Sequence, residues 1–149
     1  MKLTAKVIIV MIFAGLAGCS SLLLQPADFA WPIEAAMKVD DTGKVSDQRY
    51  AFSFNAKQLF FVETGDSTAF ASKELRVIRN TKGYYFITSA GFKNVYVFSA
   101  AESALKLDNT IPVSQTGLIS PAFNQRQPYI ELLDGANKYL LDNKGITGK

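Results

Sequence analysis

The stretch from residue 74 to residue 99 constrains this chain most. Glu74–Arg79 and Gly83–Thr88 are short apolar-rich runs on either side of Asn80-Thr81-Lys82-Gly83. That spacing suits a type I turn closed by a glycine bulge, the signature of a β-hairpin. Asn94–Ser99 follows after Ala90-Gly91-Phe92-Lys93, which predicts three consecutive antiparallel strands.

The same punctuation recurs along the chain. Asp40-Asp41-Thr42-Gly43-Lys44 and Thr64-Gly65-Asp66-Ser67 read as turns, with glycine where a left-handed residue is wanted. Tyr50-Ala51-Phe52-Ser53-Phe54 alternates large and small side chains as a half-buried strand does, and Leu59–Glu63 is a shorter apolar run of strand length. Tyr129–Leu133 and Lys138–Asp142 flank Asp134-Gly135-Ala136-Asn137, a second hairpin. Trp31–Met37 leans to strand. Ala100–Leu107 holds good helix formers and reads as a turn or two of helix. Ile111-Pro112-Val113 fits only an edge strand, because proline lacks a ladder donor. Gln115–Gln127 reads as loop, and Gly145–Lys149 as a frayed tail.

The expected fold is therefore all-β: one antiparallel domain over residues 31–143, a sandwich or partly open barrel of about seven to nine short strands, with residues 144–149 as a flexible tail. No fixed-period repeat is present. The residues after position 18 suffice for about three propeller blades, fewer than the usual four to eight.

The N-terminus carries a different message. Met1–Lys6 holds Lys2 and Lys6, Val7–Ala14 is apolar, and Gly15-Leu16-Ala17-Gly18 is small-residue-rich. This is the pattern of a secretory signal peptide over residues 1–18. Leu16-Ala17-Gly18-Cys19 resembles the lipobox of bacterial lipoproteins at all four positions. The resemblance implies cleavage between Gly18 and Cys19 and acylation of Cys19 with palmitate-type chains. It also implies anchoring of the product to the cell envelope, since several acyl chains hold a protein firmly. Ser20 stands where enteric members kept in the inner membrane carry aspartate, so the resemblance is compatible with export to the outer membrane and favours it over the inner one in a two-membrane host. The other reading is an uncleaved anchor over Val7–Leu24. Either way the remaining chain lies on the outer side of the inner membrane. Residues 19–30 form the tether, and Leu22-Leu23-Leu24 within it either dip into the headgroups or pack on the domain. From Cys19 to Trp31 the chain spans at most ~40 Å.

Composition then excludes whole classes of chemistry. The chain has no histidine, so Ser–His–Asp and Cys–His sites cannot form. Its one cysteine precludes an intrachain disulfide or a multi-cysteine metal site. Of the 16 basic residues, Lys2 and Lys6 belong to the leader, leaving 14 against 13 acidic ones. The overall charge of +3 is thus mostly the leader's and argues for no nucleic-acid partner.

Asp40, Asp41, Glu63, Asp66, Glu74, Glu131 and Asp134 are the carboxylates available for acid–base hydrolysis. Nearly all fall at turns, where backbone capping is their ordinary use. Asp40–Gly43 lacks the spaced oxygens of a calcium loop. Neither a metal nor a cofactor is expected. Lys73, Arg76, Arg79, Lys82 and Lys93 gather around the central hairpin, as an anion site or, more simply, as a charged strand edge that discourages aggregation.

The aromatics carry more. Twelve of the eighteen fall between Tyr50 and Phe98. Tyr84-Tyr85-Phe86-Ile87 and Val95-Tyr96-Val97-Phe98 are apolar on both faces, as strands are when sandwiched between layers or when one face is offered to a partner. Tyr84, Tyr85 and Tyr96 are the candidate binding face. The expected function is a non-catalytic, membrane-anchored interaction or assembly module whose partner is another envelope protein. The alternative is a β-domain binder of an apolar small molecule or glycan.

Overall fold

A computed structural model describes residues 30–148. The leader, Leu16–Cys19 and the tether up to residue 29 lie outside the described residues. The expected hairpin is present: β4 (Glu74–Arg79) and β5 (Tyr85–Ser89) pair antiparallel with Arg79 opposite Tyr85 and Val77 opposite Ile87. Gly83 takes φ +86° in the turn, and Asn80 Oδ1 accepts the backbone N–H groups of Lys82 and Tyr84, both at 3.0 Å. β6 (Asn94–Ala101) pairs with β5, completing the predicted trio.

β1 (Ala35–Lys38) and β7 (Ala104–Pro112) extend this trio to a five-stranded antiparallel sheet ordered β1-β4-β5-β6-β7. Pro112 thus lies on an edge strand, as its missing donor requires. β2 (Lys44–Asp47) and β3 (Phe52–Asn55) form a two-stranded ribbon. β8 (Pro121–Arg126), β9 (Tyr129–Asp134), β10 (Asn137–Asp142) and β11 (Gly145–Gly148) form a four-stranded sheet ordered β11-β10-β9-β8. None of these three sheets closes into a barrel.

The five-stranded sheet is covered on both sides, which explains its doubly apolar strands. One face carries Leu75, Val77, Tyr85, Ile87, Tyr96 and Phe98, as the strand registers require. The ribbon and the helix α1 (Lys57–Thr64) pack there. Phe52 stacks on Tyr85 with ring centroids 4.9 Å apart, and Phe60 meets Phe92 edge-on at 5.1 Å. The opposite face carries the fully buried Ile78, Phe86, Val95 and Val97, and the four-stranded sheet covers it. There Asn109 donates to the carbonyls of Asn143 and Lys144, and Glu34 joins Arg76 to the Phe123 backbone N–H. Each large side chain buried in this two-sided core contributes about 1.5–3 kcal/mol.

Four sequence expectations are corrected. Leu59–Glu63 is helical, within α1: Gly65 closes the helix at φ +75°, donating to the Phe61 carbonyl at 2.8 Å, and Asn55 Oδ1 takes the Lys57 N–H at 3.0 Å. Ala100–Leu107 is a hairpin, because Ser103 takes φ +57° and turns β6 into β7. Within Gln115–Gln127, residues 121–126 are the strand β8. The expected tail is β11, pairing with β10 through Ile146 and Gly148. These additions bring the described strands to eleven, above the seven to nine expected.

Candidate functional site

Between the ribbon, α1 and the projecting β6–β7 hairpin lies an open groove of about 780 Å³. Its position follows from strand lengths. β5 starts at Tyr85, opposite Phe98, whereas β6 and β7 continue past that point to a turn at Glu102-Ser103. The overhanging part of the hairpin therefore has no β5 residue paired beside it, and Ala100, Ala104, Leu105 and Leu107 line one side of the groove.

β3 supplies the facing wall with Phe52 and Phe54, and α1 adds Leu59 and Val62. The floor is Tyr85, Tyr96 and Phe98 from the central sheet. Its aromatic rings are held from behind. Trp31 is buried, stacks on Tyr50 at 3.9 Å, and presents its ring edge-on to Phe52 at 5.3 Å and to Tyr85 at 5.6 Å. Phe52 and Tyr85 each meet Trp31 as well as each other, so neighbouring rings fix their orientation. The lining includes no charged side chain. Its polar side chains are the neutral Ser53, Asn55, Gln58 and Ser103, beside the hydroxyl-bearing Tyr85 and Tyr96 of the floor.

Tyr85 and Tyr96 of the expected face are brought together here. Tyr84 is not part of it: it precedes β5, its backbone N–H is bound by Asn80 in the β4–β5 turn, and it does not line the groove. The Tyr96 hydroxyl donates to Glu63, and burial, followed by that carboxylate, pushes its ionisation well above the usual tyrosine range. Glu63 also accepts the Asn94 side-chain amide at 2.9 Å and the Lys93 backbone N–H. This network fastens α1, and with it one groove wall, to the β5–β6 turn.

The other carboxylates have separate structural tasks. Asp40 caps its turn by accepting from Thr42 and Lys44, and those hydrogen bonds, that of the Thr42 hydroxyl first, hold its carboxyl below the usual range. Asp41 is exposed in the same turn. Asp66 accepts from Thr68, with the same lowering. Glu74 pairs with Arg76 at 2.9 Å. Glu131 binds Asn124 and Arg126, and Asp134 accepts the N–H groups of Ile119 and Ser120. No three carboxylate or cysteine groups among the described residues converge as a metal site.

The five cations do not form one patch. Arg76 is engaged by Glu34 at 2.7 Å on the face toward β8, and Arg79 lies over the Tyr85 ring at 5.7 Å. Lys82 sits in the β4–β5 turn, whereas Lys73 and Lys93 sit at the other end of those strands. Nor is β4 an edge strand, since β1 and β5 flank it.

Sequence reasoning missed Phe98, Leu105 and Leu107 as site residues. The Leu105-Lys106-Leu107 alternation was the available signal, obscured by the alanines and glutamate before it. Compared with known proteins, the chain matches no family model, no curated protein and no solved structure. No helix among the described residues is long and apolar enough to cross a membrane.

Proposed function

We propose that this chain is a bacterial envelope lipoprotein, anchored through acylated Cys19, whose β domain is a non-catalytic binding module for an apolar small molecule. The observation that carries the reading is the groove: about 780 Å³, walled by aromatic and aliphatic side chains, with no charge in its lining. Small-molecule sites are concave and chiefly apolar, with a few polar groups that orient the ligand. Ser53, Asn55 and Gln58 are suited to that task. The location rests on the signal peptide over residues 1–18 and on Leu16–Cys19, and Ser20 favours the outer membrane. A catalytic role has little support, because the chain lacks histidine and its candidate carboxylates, the exposed Asp41 apart, are engaged one by one in turns and clamps.

The protein-interaction reading keeps one observation in its favour. β3 pairs only with β2 and β7 only with β6 among the described strands, so two strand edges border the groove. An extended segment of another protein can add to such an edge.

A photo-crosslinking amino acid placed at Leu105 in growing cells tests both, with Ile146 as the control position outside the groove. Adducts of small-molecule mass at Leu105 and not at Ile146 are the expected result. A protein-sized adduct at Leu105 would replace the first reading with the second. No adduct at Leu105 would overturn both.

A further inference from the structure

The groove is unusual in where its apolar surface continues. Six large hydrophobic side chains are exposed among the described residues, and two of them, Val62 at 59% and Leu107 at 47%, belong to the groove lining on opposite walls. Phe61, 48% exposed, adjoins Val62 on α1. An apolar rim around an apolar groove is costly in water and marks a surface that meets another apolar phase. Along the chain, Ala30 enters the described residues next to Trp31, whose ring touches the Phe52 and Tyr85 wall. Cys19 is only eleven residues before Ala30, at most ~40 Å of extended chain. An acylated Cys19 therefore keeps this groove within reach of the bilayer surface.

From the uncharged lining, the apolar rim and the short tether together, we infer that the occupant of the groove is a hydrocarbon chain of a bilayer lipid. The rim of Phe61, Val62 and Leu107 seats in the headgroup boundary, where amphipathic surfaces bury their apolar side. The chain then slides between Phe54 and Leu105 onto the Tyr85–Phe98 floor. The neutral Ser53, Asn55, Gln58 and Ser103 fit the uncharged ester region better than a phosphate. The inference rests on the groove being the ligand site, and it adds the source and the direction of entry.

Trp31 is the single tryptophan of the chain and lies against the groove wall, so it reports on the occupant directly. The test uses the full acylated protein in vesicles of phosphatidylethanolamine and phosphatidylglycerol whose acyl chains carry bromine at mid-depth. Bromine quenches indole emission only at short range. Marked quenching is expected, falling severalfold in Ala100→Phe and in Ala100→Phe combined with Leu105→Phe, because Ala100 and Leu105 pair on the hairpin face that carries Phe98. Equal quenching in those variants would overturn the inference, because lipid would then reach Trp31 by another route. So would an unquenched protein that becomes quenched when Leu22, Leu23 and Leu24 are changed to serine, since the tether would be the occupant. If lipid bromine fails but added bromododecane quenches Trp31 and is blocked by Ala100→Phe, the lipid inference falls and the groove reading stands. If neither quenches, both fall.

Discussion

The Tyr96 hydroxyl donates to Glu63 Oε2 at 2.5 Å, tying the floor of the groove to the helix that forms its wall. Burial and the adjacent carboxylate both disfavour the phenolate, so Tyr96 ionises well above the ordinary value near 10. The sign of the pH effect follows. Above ~10 the unfolded chain releases this proton while the folded chain retains it, so Tyr96 stabilises the fold fully below that pH and loses its contribution as pH rises further. Urea denaturation at a series of alkaline pH values should show a steeper loss for the wild type than for Tyr96→Phe. Parallel curves would mean that Tyr96 titrates alike in both states.

Glu34 performs a comparable task between layers. Its Oε1 takes Arg76 Nη1 at 2.7 Å and its Oε2 takes the Phe123 backbone N–H at 2.8 Å. Phe123 is on β8, one of the two edge strands of the four-stranded sheet, so the carboxylate also occupies part of an otherwise open edge. Glu34→Ala leaves that N–H unpaired and should cost ~2–3 kcal/mol in urea unfolding. Arg76→Ala should cost less, about 1 kcal/mol, because its charge is partly solvated and Glu34 keeps the Phe123 contact. The reverse order would show that the ion pair, and not the capped edge, is what matters.

How much of this was legible depends on whether the signal was local. The β4–β5–β6 trio was, because Asn80 and Gly83 fix a turn by their own chemistry. The helix was not, since Leu59–Val62 is too short an apolar run to distinguish strand from helix. Asn55 and Gly65, which bracket it, were the better evidence. Ala100–Leu107 misled because alanine and leucine favour helix in isolation, whereas here Ser103 turns left-handed and pairing with β6 overrides propensity. Tyr85 and Tyr96 were found as aromatics on doubly apolar strands. The groove they share was not, because it arises from the mismatch in length between β5 and the β6–β7 hairpin, a relation no single segment contains.

Glu131 sets an acid-side expectation. The Asn124 amide, and then the charge of Arg126, hold its carboxyl below the usual range although burial opposes this. A lowered carboxylate stabilises the fold above its unfolded value near ~4.3 and loses that contribution as pH falls through the folded value. Acid unfolding of Glu131→Gln should therefore be less steep than that of the wild type between those two values. Asp40, Asp47 and Asp66 are lowered as well and titrate in both proteins, so the difference between the curves isolates Glu131.

Ser103 gives the sharpest backbone test. At φ +57° it occupies the left-handed region, which costs a residue with a β-carbon roughly 1–2 kcal/mol and glycine far less. Ser103→Gly gives up some of that gain to the greater freedom of the unfolded chain, so a net stabilisation of up to ~1 kcal/mol is expected. Ser103→Val should destabilise by more than this, because a branched side chain tolerates the region worst. Gly83→Ala provides the converse control: Gly83 has φ +86°, and an added β-carbon would lie 3.1 Å from Arg79 Nη2. Thermal melting of the three variants should rank Ser103→Gly above the wild type and the other two below it. If Ser103→Gly melts lower, the hydroxyl or its place on the groove rim outweighs the backbone strain, and the β6–β7 hairpin is held by more than its turn.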